Sequence, residues 1–543
     1  MNLEKLFGRA LQVRENQAPI FRFNEARRGI VDEVVSRVLA GTKDPLYTLS
    51  DAAYLEMRRL GPKGGPELAE WRSLASRLGR LSESELRDEV TKHAKAHAWD
   101  VAGNFDPRVY QFASRAMAPL LGALMSPRAM VKNLPQSLDL TALDGRIVVQ
   151  GPREHIRRLS ENGTVVFVPT HLSNLDSVVF GYALERAGLP PATYGAGKNL
   201  FTNPVLSYFM HNLGAYRVDR RLRHSLYKDV LKAYSTVLIE RGYHSLFFPG
   251  GTRSRSGGVE RKLKLGLAGT GVEAFARTVE AGRPRRVYFV PATINYLLTL
   301  EAETLIDDFL QEEGKARYII EDDESTRVGR VASFSQKLLG LDGACVIRFG
   351  EPLDCFGNAV DEDGHSIDPR GRAVLAESFL ERRDGTRGRD AKRDAEYTRE
   401  LGEAIVRSFK ANTVVMATHV VASVAFGGLR RQVGEKGDLF AILRHKDDVR
   451  VPRVELAKEV DRLLGEVFAL ERQGKIVAAP SLKNRDGQGV LDDALRAFAG
   501  YHAEEVLSPR GDDLVLSDTR LLFYYQNRLA FHGLAYDALA PKS

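Results

Sequence analysis

The sequence predicts an α/β protein built on a central, mixed and largely parallel sheet, with helical regions before and after it. Three observations lead there. Short β-branched runs gather in the middle of the chain: Ile147-Val148-Val149, Val165-Val166-Phe167-Val168, Leu246-Phe247-Phe248, Val287-Tyr288-Phe289-Val290 and Cys345-Val346-Ile347-Arg348-Phe349. Helical patterns separate them, at residues 177–187 and 227–241, and strands alternating with helices pair in parallel. On either side the apolar residues recur at three-to-four spacing, the period of an amphipathic helix. A chain of 543 residues exceeds what one hydrophobic core serves. Three regions are therefore expected: helical 1–148, α/β 149–394 and helical 395–543.

In order along the chain, residues 1–10 (MNLEKLFGRA) carry Glu4, Lys5 and Arg9 and lack the apolar run of a secretory signal. Residues 30–39 set apolar positions between charges, and Pro62, Gly64, Gly65 and Pro66 break the helical region once. Residues 112–125 read as an amphipathic helix despite Arg115 and Pro119. A charged segment, 312–330, interrupts the late α/β region, and the Gly/Asp/Arg-rich stretch 358–394 reads as a surface excursion with little core. No internal repeat stands out. Residues 413–429 (TVVMATHVVASVAFGGL) fall short of the roughly 20 needed to cross a bilayer. They read first as a buried core helix, and second as an interfacial segment, because Arg430 and Arg431 follow. Residues 454–470 are amphipathic, and an aromatic helix at 521–531 ends the chain.

Composition narrows the function classes. Apolar residues make up 43% and charged residues 27%, as in a packed, water-facing protein. With 78 Lys+Arg against 71 Asp+Glu, the formal charge of +7 favours anionic partners. Cys345 and Cys355 cannot build a disulfide framework or a four-cysteine zinc site, and a reducing cytoplasm fits them. Nucleic acid is not expected: the arginine clusters fall in loops after strands, without a zinc finger, an RNA-binding aromatic signature or a basic recognition helix.

In open α/β sheets the working residues collect beyond the carboxyl ends of the strands. Behind the run 165–168 comes Pro169-Thr170-His171-Leu172-Ser173-Asn174-Leu175-Asp176, where Ser173 or Asn174 can cap the next helix. Asp176 can fold back onto His171, fix its tautomer and leave the imidazole as a general base. The H-x-x-x-x-D spacing alone is weak, since it recurs at His224/Asp229 and His532/Asp537. Neither of those follows a strand, and both pairs read as exposed polar residues. Three further blocks raise the weight of His171. Gly214-Ala215-Tyr216-Arg217-Val218-Asp219-Arg220-Arg221 follows Gly195-Ala196-Gly197-Lys198. Then come Pro249-Gly250-Gly251-Thr252-Arg253-Ser254-Arg255-Ser256-Gly257 and Val290-Pro291-Ala292-Thr293-Ile294-Asn295-Tyr296. Small residues after a strand let the backbone approach a ligand, and arginines offer forked donors suited to phosphate.

In this order the blocks resemble those of the glycerophospholipid acyltransferase superfamily, and the chain looks most like the long, membrane-associated bacterial glycerol-3-phosphate acyltransferases. The resemblance is carried by residues 171–296, more loosely by Ile347-Arg348-Phe349-Gly350-Glu351-Pro352-Leu353 and Tyr524-Tyr525-Gln526-Asn527-Arg528. It implies that His171 and Asp176 are catalytic, and that Arg253, with Arg255 and Arg220, binds the acceptor phosphate. Arg217, Gly250, Gly251 and Ser254 fall inside the same blocks, Gly214 and Pro291 shape the pocket, and Lys198 is a further phosphate candidate by charge and position. The implied reaction moves an acyl group from acyl-CoA or acyl-carrier protein to the sn-1 hydroxyl of glycerol 3-phosphate, with no cofactor and no metal. The product and a long-chain donor imply peripheral or monotopic attachment at the cytoplasmic face of the membrane, with 112–125 and 413–429 as candidate contacts. Two positions depart from the family pattern: Gly250 stands where a glutamate is usual, and Asp219 precedes Arg220. They keep open another acceptor, such as lysophosphatidate or a different lipid alcohol, and a degenerate lipid-binding scaffold.

Overall fold

The computed structural model describes residues 18–113, 146–198, 201, 204–313, 344–382, 384–433, 438–443, 449–499, 502 and 505–537. The N-terminal decapeptide, the stretch 112–125 beyond residue 113 and the charged segment 312–330 beyond residue 313 lie outside them.

The first helical region holds α1 (Phe23–Gly41), α2 (Pro45–Leu60), α3 (Pro66–Arg77) and α4 (Glu83–Val101). It is broken three times. Pro62 to Pro66 accounts for one break. The others are short caps: the Asp44 side chain accepts from Tyr47 N at 2.9 Å, and Ser82 with Glu85 forms a capping box. Ile30, Val31, Val34 and Val38 of α1 are buried, as are Leu226, Val230, Tyr234 and Val237 of α8 (Ser225–Glu240), and all eight share one core. Arg37–Glu240 and Arg241–Glu33, both at 2.6 Å, add charge pairs across the same contact. The N-terminal helices thus form a wall of the α/β region.

That region is a mixed, mostly parallel sheet of eleven strands among the described residues, with helices on its faces. β1 (Ile147–Gln150), β2 (Gly163–Pro169), β3 (Thr193–Gly197), β4 (Ala215–Val218), β5 (Ser245–Leu246), β6 (Arg286–Tyr296) and β7 (Cys345–Phe349) make the body. Its helices are α5 (Arg153–Asn162), α6 (Asp176–Arg186), α7 (Pro204–Asn212), α8, α9 (Gly269–Glu280) and α10 (Ala302–Glu313). The strands run in the order β6-β2-β5-β3-β4, every neighbour parallel. Their carboxyl ends therefore share one edge, and the four sequence blocks meet there. Pro291, which has no N–H, sits where β6 passes from one partner to another: Tyr288 and Phe289 pair with β8 (Leu353–Asp354), and Ala292 to Tyr296 pair with β7.

β3 and β4 carry no apolar run and escaped the sequence reading. β3 is TYGAG, poor in β-formers, and it forms because β4 and β5 pair with both its edges. The stretch 358–394 is also more ordered than expected. Asp354, Asp361 and Asp368 recur every seventh residue, with Gly357, Gly364 and Gly371 three positions later at φ +91°, +80° and +77°. Each Asp Oδ1 accepts two backbone N–H groups of its own turn. The result is a ladder of two-residue strands, β8, β9 (Ala359–Val360), β10 (Ser366–Ile367) and β11 (Ala373–Val374), extending the sheet. This is a short internal repeat, hidden in sequence because only Asp and Gly recur unchanged.

The C-terminal region begins with α11 (Ala391–Ala411), whose Leu401, Ile405 and Phe409 pack with α9 against the sheet. Beyond it, α12 (Ala417–Val433), α13 (Arg453–Arg472), α14 (Gly487–Phe498) and α15 (Thr519–Ala530) close over a core shared with Leu305 and Ile306 of α10. α12 is the central member, with Val420, Val421, Ala425, Phe426 and Leu429 all at 0% exposure. That burial decides for a core helix and removes residues 413–429 as a membrane contact. Among the described residues no helix is long and apolar enough to cross a membrane.

Candidate active site

His171 leaves the end of β2 in the loop that leads into α6. Its Nδ1 lies 2.8 Å from Oδ2 of Asp176, a fully buried residue in the first turn of the helix. The same Oδ2 accepts Leu172 N at 2.6 Å and Ser173 N at 2.9 Å, while Oδ1 accepts the Tyr296 hydroxyl at 2.8 Å. Every oxygen of this buried carboxylate is thus engaged, which is the condition for burying the charge. The local reason differs from the expected cap. Leu175 is the N-cap residue and gives no side-chain cap, and Ser173 Oγ accepts from Leu175 N at 3.2 Å. Asp176 itself reaches back over the turn. A carboxylate only accepts, so Nδ1 carries the proton and Nε2 is the free base. The ring stacks on Phe248 at 4.1 Å between centroids and 22° between planes, which fixes its direction.

Facing His171 is a cavity of about 260 Å3, lined by Arg220, Arg253, Arg255, Thr252, Phe248 and the β3 segment 194–197. Arg253 follows β5 and meets the fully buried Glu301, beyond the end of β6, at 3.2 Å. Glu301 Oε1 also accepts Asn174 N at 3.0 Å, so one carboxylate ties the His171 loop to the arginine. Burial raises the Glu301 pKa, and Arg253 works against that shift. Arg220 comes from the turn after β4 and is exposed to the cavity. Burial of its stem, then the charge of Arg253, lowers its pKa, as expected of two cations converging on one space. Arg255 lines the cavity as well and pairs with Glu312 at 2.5 Å.

The remaining candidates stand outside the cavity lining. Lys198 Nζ is held by Asp100 of α4 at 2.8 Å, and Arg217 lies 3.7 Å from the same carboxylate and over the Phe201 ring. Gly214 (φ +89°) makes the turn into β4 and donates its N–H to Asn104 O at 2.9 Å. Gly251 (φ +74°) closes the turn after Phe248. Ser254 N donates to His171 O at 2.7 Å, binding the third block to the first. Asp219 accepts both the backbone N–H and the guanidinium of Arg221, and the hydrogen bond from that side chain holds its carboxyl below the usual range. It therefore shapes the turn that presents Arg220.

The other two H-x-x-x-x-D pairs go elsewhere. His224 is fully buried, contrary to expectation, because its Nδ1 caps α8 by accepting Tyr227 N at 3.2 Å. Asp537 pairs with Arg261 at 2.7 Å. Sequence reasoning missed Glu301 and Glu260, the latter accepting His171 N on Oε1 at 2.8 Å. Both are single acidic residues far along the chain from the groups they touch, and no spacing announces them.

Residues 146–295 match the family model described as Acyltransferase. This stretch is an acyltransferase domain. The match covers the first three blocks and the fourth as far as Asn295, and its first strand is β1. The chain is 25% identical over 305 residues to a glycerol-3-phosphate acyltransferase of Xanthomonas campestris pv. campestris, covering 53% of this chain and 30% of that protein. It is 25% identical over 338 residues to the one of Actinobacillus pleuropneumoniae serotype 3, with 60% and 36% covered. For the Pasteurella multocida protein of the same name the figures are 26% over 363 residues, 64% and 39%. The chain thus spans about a third of the length of these relatives. Among solved structures, the 1-acyl-sn-glycerophosphate acyltransferase of Thermotoga maritima matches at 14% identity with a TM-score of 0.22, over 50% of this chain and 90% of that one.

Proposed function

We propose that the acyltransferase domain moves a fatty acyl group from a thioester, acyl-CoA or acyl-carrier protein, to the sn-1 hydroxyl of glycerol 3-phosphate. The observation that carries this reading is one cavity with a buried-carboxylate-backed histidine on one side and Arg220, Arg253 and Arg255 on the other. Arginines 220 and 253 hold the acceptor phosphate by forked, charge-assisted bonds. That leaves a hydroxyl of the three-carbon acceptor within reach of His171 Nε2.

The chemistry needs no group beyond these side chains and the thioester. Nε2 takes the hydroxyl proton as the oxygen attacks the thioester carbonyl, and Asp176 stabilises the imidazolium that forms. The tetrahedral intermediate collapses, the C–S bond breaks, and the thiolate leaves with the proton returned by His171. An ester and a free thiol result. Neither cysteine takes part: both are buried, and burial raises each thiol pKa well above its ordinary value.

The names of the relatives support glycerol 3-phosphate as acceptor. Lysophosphatidate, which carries the same phosphate and one acyl chain already, is the alternative that the assay must include. Purified protein is incubated with radiolabelled acyl-CoA or acyl-carrier protein and each acceptor in turn. Turnover on glycerol 3-phosphate at least tenfold above that on lysophosphatidate is expected, and the reverse preference overturns the acceptor assignment. Peripheral or monotopic attachment at the cytoplasmic face of the membrane belongs to the same proposal, since the product is an amphiphile. Sedimentation with vesicles containing anionic lipid is the check, and a protein left wholly in the supernatant at low salt contradicts it.

A further inference from the structure

The third block is a closed loop: Lys264 N donates to Pro249 O at 2.7 Å across its ends. The C-terminal helix α15 seats it from behind. A Cβ on Gly257 would run into the carbonyl oxygen of Tyr524, and Asn527 Nδ2 donates to Ser256 O at 2.8 Å. Arg528 of the same helix, 2% exposed, donates through Nη2 to Ile294 O at 3.0 Å and Asn295 Oδ1 at 2.9 Å, both in β6. The loop so seated holds His171 by both of its backbone groups. Ser254 N donates to His171 O at 2.7 Å, and His171 N donates to Glu260 Oε1 at 2.8 Å. With Asp176 and Glu301, Glu260 completes a set of three carboxylates that accept four successive N–H groups, those of residues 171 to 174.

Gly250 lies beside the first of these carboxylates. Its φ is outside the left-handed range, unlike that of Gly251, so the backbone does not call for glycine there. Space does. A Cβ at 250 would lie 3.2 Å from Glu260 Cγ and 3.4 Å from Oε1, the oxygen that accepts from His171. Carbon atoms in ordinary contact stand about 3.5–4.0 Å apart. Glu260 therefore fills the room that a side chain at 250 would need. Its Oε2 is buried as well, and the residue is not among those that line the cavity. A glutamate carries its oxygens three bonds beyond its own Cβ, about 2.8–3.6 Å away, and an aspartate only about 2.4 Å. The 3.4 Å from position 250 to Oε1 is thus within the reach of glutamate and beyond that of aspartate.

We propose that Glu260 positions the catalytic base by holding the His171 N–H, and that it does so from the place a glutamate at position 250 would occupy. Glu260 acts through His171 and not on the substrate, so it is a positioning residue. The inference rests on the reading of His171 as the base. It gives the glycine at 250 a physical meaning: the carboxylate has moved ten residues along the same loop, and the smaller residue makes room for it.

The test uses the full chain, the single variants Glu260→Ala, Glu260→Gln and Gly250→Glu, and two double variants that add Gly250→Glu or Gly250→Asp to Glu260→Ala. Each is checked for a cooperative melt and assayed with labelled acyl-CoA and whichever of glycerol 3-phosphate and lysophosphatidate the parent turns over faster. Glu260→Ala should lower kcat at least tenfold with the acceptor KM within threefold, because a small misplacement of the base slows the reaction while the arginines still hold the phosphate. Glu260→Gln, whose amide oxygen can accept the same N–H, should recover most of that loss. Gly250→Glu should slow the parent, where two side chains contend for one space, yet raise the kcat of Glu260→Ala at least fivefold. Gly250→Asp should not raise it. Such a reversal of sign in kcat, among variants that melt alike, is not produced by a glutamate that only supports the fold. A folded Glu260→Ala with kcat within twofold of the parent overturns the positioning role, and a Gly250→Glu that fails to raise the kcat of Glu260→Ala overturns the shared place. Where Glu260→Ala does not fold, the Gly250→Glu/Glu260→Ala variant decides: folding with turnover supports the proposal, and failure of either overturns it. His171→Ala is run alongside. Its retention of turnover defeats the reading of the base, whereas its loss of turnover beside a normal Glu260→Ala defeats only the positioning role.

Discussion

Asp176→Asn isolates what the buried carboxylate contributes to the base. The amide is isosteric, and its oxygen can take the place of Oδ2, accepting from His171 Nδ1, Leu172 N and Ser173 N. Its NH2 then faces the Tyr296 hydroxyl, which can turn and accept instead of donate. Geometry survives and the negative charge is lost. Deletion of a charged hydrogen bond costs about 1.5–3 kcal/mol, and the Coulomb attraction at contact distance amounts to about 4 kcal/mol at an effective dielectric of about 20. Only the part that grows as the imidazolium forms slows the reaction, so about 2–4 kcal/mol is assigned to the barrier, roughly 30- to 1,000-fold in kcat. Steady-state acyl transfer at saturating acceptor reads this out, with KM for the acceptor changing less than threefold. Asp176→Ala, by contrast, strands two N–H groups and a hydroxyl in the interior and should lose about 3–5 kcal/mol of stability as well. A folded Asp176→Asn protein with kcat within twofold of the parent refutes the reasoning.

Arg220→Ala should raise the acceptor KM about tenfold or more while leaving the melting temperature unchanged, because Arg220 meets the cavity from an exposed turn. Arg253→Ala should weaken the acceptor equally and also cost about 3 kcal/mol in a urea titration, since Glu301 is left buried without its cation. Acid should unfold the protein through its buried histidines. The Nδ1 of His244 accepts Val165 N at 3.0 Å, and burial lowers its pKa from 6.5 to about 4. Between those values the unfolded chain binds more protons, so this contribution is complete above pH 6.5 and falls away towards pH 4, about 3 kcal/mol in all. Urea midpoints measured from pH 7 to 4 check it, and His244→Asn should flatten the slope. Gly257→Ala places a Cβ 2.4 Å from Tyr524 O at φ +76°, and should destabilise by about 2–4 kcal/mol. A melt within one degree of the parent contradicts the tight seating of α15.

How much of this was legible in sequence depended on the range of each interaction. The β-branched runs gave β1, β2, β6 and β7, and β2 and β6, buried at nearly every position, carry the strongest apolar signature. β3 and β4 lacked it: TYGAG and AYRV are strands only because neighbours pair with them, and no local pattern records a neighbour. His171 and Asp176 were readable because five residues link them and the turn itself brings them together. Arg220 and Arg253 were readable as blocks after strands, since parallel strands deliver their carboxyl ends to one edge. Lys198 and Arg217 looked similar by charge, yet Asp100, from a helix about a hundred residues earlier, holds them. Glu301, Glu260 and Arg528 meet the site across 127, 89 and 233 positions of chain, counted to Asn174, His171 and Asn295. Only the folded topology brings them there. The Asp/Gly repeat at 354–374 was present throughout but muted, because only its Asp and Gly are identical from one turn to the next.

The central claim is that His171 is the base of an acyl transfer to a phosphorylated acceptor. His171→Ala tests it most directly, for the side chain is only 15% exposed and its loss leaves Asp176 still held by two N–H groups and a hydroxyl. The measurement is transfer of labelled acyl groups from acyl-CoA to glycerol 3-phosphate by the folded variant. The expected result is a fall in kcat of about a thousandfold or more. Turnover within tenfold of the parent, in a variant that melts normally, contradicts the account.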